Sequence, residues 1–384
     1  MSAQKVWFGA FATSLVINHA ACGSGSSPSM PGVDGGGDGG GGGGTSSGTG
    51  GAGGGSGAGG TSGSSGTGSS GADSGGTGSS GASSGTGTGN DSGAGSSGGG
   101  VEGGAAGPAI KTIFLILMEN NNWSTIYQSS AAPYINSLLP MASWCTQYFD
   151  NPKAVHPSEP NYIWLEAGDN LTFTTDNDPS ASNSSSANHL VKLMTAANVT
   201  WRGYAEDMTA GTCPIVSRGN YAAKHVPFVF FTDVVGNPPS ASSPTCIQHM
   251  VPFTQLATDL TNNTVSQYNF ITPNLCNDMH GAAGCPTTSE VTQGDTWLSQ
   301  QVPLIMSSQA YKDGGAIFIT WDESEGGEFP IGMIVLSPLA KGGGYQSTKK
   351  YFHSSMVRTV QEAFGLTPLL NDAANEADLS DLFK

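Results

Sequence analysis

Basic residues are scarce in this chain: Lys+Arg number 13 against 29 Asp+Glu, for a formal net charge of −16. Binding a nucleic-acid backbone draws on clustered Lys and Arg to release counterions, so a chain this acidic and without basic runs is not read as a polyanion binder. A small phosphorylated substrate stays open, because a metal ion can supply positive charge that the side chains lack. Paired CxxC motifs are missing, which removes the zinc-knuckle reading. Long apolar runs are also missing. The one near the N-terminus, Val6 to Ile17 after Lys5, is too short for a bilayer span and reads as a signal-peptide core. Aromatic residues are wanting from residues 22–108, a stretch of Gly, Ser, Thr and Ala that cannot bury enough apolar surface to offset chain entropy.

These absences divide the chain into three expected parts: residues 1–22 as an export signal, 23–108 as a disordered Gly/Ser-rich tether, and 109–384 as one large folded domain. As a coil of roughly 85 residues the tether has an r.m.s. reach of ~50 Å. The signal ends Ala20-Ala21-Cys22-Gly23, which resembles a bacterial lipoprotein processing site with Cys22 as the lipidated residue, although His19 stands where such sites usually carry Leu. The expected location is therefore the outer surface or periplasm through an anchor at Cys22, or secretion if cleavage is of the ordinary kind. The tether's Gly44-Thr45-Ser46-Ser47-Gly48 matches a serine-hydrolase pattern, but neither it nor the nearby GxGxxG matches follow a strand or open a helix, so all are compositional. Export favours disulfides, and proximity pairs Cys213 with Cys246 and Cys276 with Cys285, leaving Cys145 as a buried thiol in MASWCTQYF.

Beyond Pro108 the pattern is α/β. KTIFLILM (111–118), NFIT (269–272), GAIFITW (315–321) and IGMIVLSP (331–338) are continuous apolar runs that suit buried strands. Helical candidates lie between them: PNYIWLEA, HLVKLMTAANV, DTWLSQQVPLIMSSQAYK with an interruption at Pro303, and HSSMVRTVQEAFGL. The alternation predicts a mostly parallel central sheet with helices on both faces. The first three strands run directly into Glu119-Asn120, into Asn277-Asp278-Met279-His280 by way of Pro273, and into Asp322-Glu323. Ligands of open parallel sheets bind beyond the carboxyl ends of the strands, so these clusters are expected to converge.

Carboxylates, an amide and histidines around one stiffly held hydroxyl form a chemical set. In HPSEPNY (156–162), Pro157 and Pro160 restrict the backbone on either side of Ser158, and Pro160 suits a first helical turn. A serine hydroxyl becomes a nucleophile when a base or metal activates it, and a helix N-terminus favours an anion nearby. Alone, a serine before a helix is an ordinary N-cap and Asp322-Glu323 an ordinary solvated turn. Four of the seven histidines, His156, His225, His280 and His353, fall in polar segments bordering the clusters. Their joint occurrence points to phosphoryl transfer.

The blocks ILMENNNW, HPSEPNYIWLEAGD, WRGYAEDM, YAAKHVPFVFF, FITPNLCNDMHG, GDTWL, GAIFITWDE and FHSSMVRTVQEAFGL span 112–366 in order. Together they resemble the phosphoesterase family of secreted bacterial and fungal acid phosphatases and phospholipase C enzymes, within the alkaline-phosphatase-like superfamily. The resemblance implies an alkaline-phosphatase-like fold and one or two divalent metal ions. It implies Ser158 as a transiently phosphorylated nucleophile, with Glu119, Asn120, Asp278, Asp322, Glu323 and His353 as metal or phosphate ligands. His156, His225 and His280 follow as phosphate or leaving-group contacts, Asn277 as a residue lining the site, and Lys224 and Asp295 as residues at its edge. Two departures stand out: ENNNW is a loose version of its block, and Glu159 puts an acid beside Ser158 where relatives carry an apolar or amide residue. The expected activity is phosphomonoester hydrolysis. A phospholipase C or other phosphodiesterase is the alternative within the same chemistry; neither an aromatic choline box nor additional C-terminal β domains is evident. A non-catalytic binding module is the alternative outside it.

Overall fold

The computed structural model describes residues 109–151, 156–287 and 289–384. The expected signal segment, the tether and Cys22 lie outside the described residues. The first apolar run forms β1 (Thr112–Met118), whose seven residues are all buried, as a strand covered on both faces requires. The remaining strands are β2 (Ser143–Cys145), β3 (Trp201–Ala205), β4 (Met250–Pro252), β5 (Tyr268–Thr272), β6 (Gly315–Trp321), β7 (Met333–Leu336) and β8 (Tyr345–Ser347). They form one eight-stranded sheet in the order β4-β3-β5-β1-β6-β7-β2-β8.

The strand pairs that matter for function are β1 with β5 and β1 with β6, both parallel. Their carboxyl ends therefore lie side by side, and Glu119, Asp278 and Asp322 emerge within one neighbourhood. Hydrogen bonds tie the three exits together: Glu119 N donates to Asp278 O at 2.7 Å, and Asp322 N donates to Met118 O at 2.9 Å. The sheet is not parallel throughout, since β7 runs antiparallel to both β6 and β2. The three-residue β2, β4 and β8 carry too few residues to show a strand period, and in β3 (WRGYA) Arg202 and Gly203 break the apolar run, so pattern reading passes over all four.

The helix after HPS runs Ser158–Ala167 and is buried along its whole length. It stops at Gly168, whose φ of 70° suits glycine and whose missing Cβ leaves room for Leu370 O, 2.7 Å from where a Cβ would sit. The Glu290–Ser307 helix passes through Pro303 instead of breaking there. One proline removes a single backbone donor, and burial of Trp297, Leu298, Val302 and Ile305 outweighs that loss. Gly294 lets this helix approach the ends of β1 and the Asp278 loop: a Cβ there would meet Met279 Cγ at 2.3 Å. Both expected disulfides, Cys213–Cys246 and Cys276–Cys285, are formed, and Cys145 is a buried free thiol on β2. No helix among the described residues is long and apolar enough to cross a membrane.

Candidate active site

Ser158 is the first residue of its helix, and its Oγ donates to Glu119 Oε2 at 3.0 Å, with a longer contact of 3.5 Å to Asn120 Oδ1. One helical turn on, Tyr162 OH donates to the other Glu119 oxygen at 2.5 Å. The i, i+4 spacing aims both hydroxyls at one carboxylate. On the other side of Glu119 the His225 ring stacks on Tyr162 at 5.0 Å between centroids. His225 Nε2 lies 3.2 Å from Glu119 Oε1 and Nδ1 lies 3.5 Å from Asp278 Oδ2. Asn120 links the halves of the site, since its N donates to Asp322 Oδ1 at 2.9 Å and its Nδ2 to Glu323 Oε1 at 3.0 Å. Glu323 Oε2 takes His156 Nδ1 at 2.6 Å and Asn161 Nδ2 at 3.0 Å.

The electrostatics are those of crowded acids out of water. Burial, first, and then neighbouring carboxylates raise Glu119, Asp278 and Asp322 well above the ordinary carboxylic range. Burial also lifts Glu323 to about 7, against the pull of His156. Burial and then Lys224 push His225 well below its usual range, which favours the neutral imidazole. Isolated buried carboxylates are costly, and such a cluster is either protonated or neutralised by a cation.

The donor set fits a divalent ion. Asp278 Oδ2, Asp322 Oδ2 and His225 Nε2 are buried atoms without a hydrogen-bond partner, and one ligand atom from each of Glu119, His225 and Asp278 falls within 4.8 Å of the others. Carboxylate oxygens with an imidazole nitrogen suit zinc-like and harder divalent metals alike. Glu119, His225 and Asp278 are the residues that could hold it, and Asp322, whose charge acts on Asp278, lies beside them.

Other expected site residues sit differently. His353 is buried beneath the site: its Nε2 donates to Asp322 O at 2.6 Å and its Nδ1 lies 3.2 Å from Tyr148 OH. Both ring nitrogens are therefore engaged, and His353 orients the Asp322 backbone instead of offering a ligand atom. Asn277 faces away, donating to Glu206 Oε2 at 2.9 Å and accepting from Gln293 at 2.8 Å. Asp295 caps the Pro133–Leu138 helix, accepting from Tyr134 N at 3.0 Å and Ile135 N at 2.8 Å. We expect Asp295→Ala to lower stability by about 1–2 kcal/mol, as loss of a helix cap does, with kcat/KM unchanged; urea denaturation beside an activity assay checks it. His280 is exposed at the rim, its ring 6.2 Å from that of His225. His156 is also partly exposed, and Lys224 pairs with Asp176.

Glu159 corrects the expectation of a charge beside Ser158. Its side chain is fully buried and turned toward the 177–183 loop, accepting from Asn177 N at 2.8 Å and Asn183 Nδ2 at 3.1 Å. Burial raises its pKa to about 8, against the pull of the Asn183 and Asn177 hydrogen bonds. Its task is to fasten that loop to the helix. Sequence reading passed over Tyr162, Asn161 and Asp176. The first two lie inside HPSEPNY, one turn beyond Ser158, and helical spacing was the signal that finds them; Asp176, in the polar stretch TTDND, has no such signal.

The mycobacterial phosphatidylinositol-3-phosphatase of Mycobacterium tuberculosis is 29% identical over 280 residues, covering 73% of this chain and 85% of that protein. A phosphate-repressible acid phosphatase of Penicillium chrysogenum is 28% identical over 225 residues, covering 56% of this chain; the chain spans only 50% of that fungal protein's length. Among solved structures, an alkaline phosphatase superfamily protein from Vibrio parahaemolyticus superposes with a TM-score of 0.45 at 9% identity, covering 69% of each chain. The sequence profile of the phosphoesterase family matches residues 119–367, from the acid that ends β1 to the turn after the last long helix. This chain belongs to the phosphoesterase family and is a hydrolase of phosphate esters.

Proposed function

We propose that this protein is an exported, metal-dependent phosphomonoesterase of the acid-phosphatase type, working through a phosphoserine on Ser158. The observation that carries this reading is the Ser158 hydroxyl, at the first position of a helix and 3.0 Å from a buried glutamate at the end of the central strand. The Ser158 oxygen attacks phosphorus in line: its bond to phosphorus forms as the bond to the departing alcohol oxygen breaks. Glu119 Oε2, which accepts the hydroxyl's hydrogen bond, is the first acceptor for its proton. His280, at the exposed rim, is proposed to protonate the alcohol, with His156 as a further contact of the substrate phosphate. Water then hydrolyses the phosphoserine and restores the hydroxyl. Glu119, His225 and Asp278, with Asp322 beside them, would hold a divalent ion, which would supply positive charge for the equatorial oxygens and lower the pKa of the attacking group.

Monoester preference rests on the relatives, of which the mycobacterial one is a phosphatidylinositol-3-phosphatase and the fungal ones are acid phosphatases. Export is supported by two disulfides, which persist in oxidising compartments. Residues 109–384 are proposed as the catalytic domain, carried on the 23–108 tether with attachment at Cys22. The test is hydrolysis of p-nitrophenyl phosphate beside bis-p-nitrophenyl phosphate across pH. The monoester should be turned over at least about tenfold faster, a ratio that differential transition-state binding readily supplies. Equal rates would make the protein a diesterase, and inactivity toward both with no bound metal would favour the binding-module reading.

A further inference from the structure

The first turn of the Ser158 helix already holds an anion, and that anion belongs to the protein. Asp176 Oδ1 accepts the Glu159 N–H at 3.0 Å, while Asp176 Oδ2 pairs with Lys224 Nζ. A helix N-terminal N–H beside an ammonium group is a donor pair suited to a phosphate dianion. Pro160 has no N–H, so Ser158 and Glu159 are the first-turn donors, and one of the two is taken. Lys224 directly precedes His225, whose ring lies against Glu119, and its ammonium is held by Asp176. Glu119 and Asp322 both act on its charge.

Asp176 is held there by its surroundings. On one side Asn177 N and Asn183 Nδ2 are fastened to Glu159, and farther along Asp178 accepts from Ser217 N at 2.9 Å and Ser217 Oγ at 2.5 Å. The carboxylate is nevertheless within reach of solutes: the side chains of Lys224 and Asp176 are 20% and 27% exposed.

We infer that Asp176 is a built-in competitor of phosphate. Its carboxylate stands where phosphoryl oxygens of substrate or product would lie on Lys224 and the Glu159 N–H, and phosphate binds by displacing it. The inference rests on the proposed function and adds to it a residue that weakens product retention. Asp176 touches the binding groups and leaves the reacting atoms to others.

The probe is inorganic phosphate on the metal-loaded full chain, measured as competitive inhibition of p-nitrophenyl phosphate hydrolysis and, separately, by calorimetric binding. Asp176→Asn keeps an oxygen for the Glu159 N–H and removes the charge. We expect it to tighten phosphate about tenfold, the scale of one charge-assisted contact. Lys224→Gln should weaken phosphate, and Asp176→Asn should have little further effect in that background. Unchanged or weaker phosphate binding in a folded Asp176→Asn, with Asp176→Ser agreeing, overturns the inference and leaves the hydrolase reading intact. A wild type without hydrolysis counts against the proposed function instead, and the calorimetric comparison still reads Asp176 on its own.

Discussion

Ser158→Ala should cut kcat for p-nitrophenyl phosphate by at least about 10³-fold, the scale seen when a covalent nucleophile is removed. The fold should survive. The change deletes one oxygen at the first residue of a buried helix and one hydrogen bond to Glu119, a loss of about 1 kcal/mol. Rapid acid quenching of the wild type with labelled substrate should trap phosphate on Ser158, and the variant should trap none. A variant that retains activity within about tenfold of wild type would mean that water attacks phosphorus directly, with Ser158 reduced to a hydrogen-bond donor for Glu119.

Metal removal should have a comparable effect on rate and a second effect on stability. A bound ion is worth several kcal/mol of transition-state stabilisation, so chelation should cost at least about 10²-fold, restored by adding a divalent ion. The stability effect follows from the buried acids. Glu119, Asp278 and Asp322 are raised well above the ordinary range by burial and mutual repulsion, and Glu323 is raised to about 7. A carboxyl whose folded pKa exceeds its unfolded value holds its proton longer in the folded state. Its contribution to stability is therefore greatest at low pH and is lost as pH rises from the unfolded pKa through the folded one. Thermal scans of chelated protein should show Tm falling from about pH 4.5 to pH 7 and beyond. Metal-loaded protein should show a flatter profile, because the ion holds the ligands deprotonated. Identical profiles with and without chelator would show that the cluster does not bind the ion.

The catalytic edge was legible because local pattern carries it. Apolar β-branched runs that end in acids place those acids at strand exits, and the parallel pairing of β1 with β5 and β6 brings the exits together. Ser158 was legible because two prolines and the following apolar stretch mark a helix start. The antiparallel direction of β7 and the three-residue strands were not, since strand direction and pairing depend on partners far away in the chain.

What the sequence by itself determined is the α/β alternation, both disulfide pairings and the identity of the residues at three strand ends. Tertiary structure alone decided where each side chain points. It turned His353 onto the Asp322 carbonyl and brought His225 to Glu119, drew Asn277 and Asp295 into supporting contacts, buried Glu159 under its loop and set Asp176 on Lys224. The physical reason is range. Strand and helix periods are written within a few residues, whereas the direction of a buried polar side chain is set by whichever partner satisfies it, and the partners of Glu119 come from residues 158, 162 and 225.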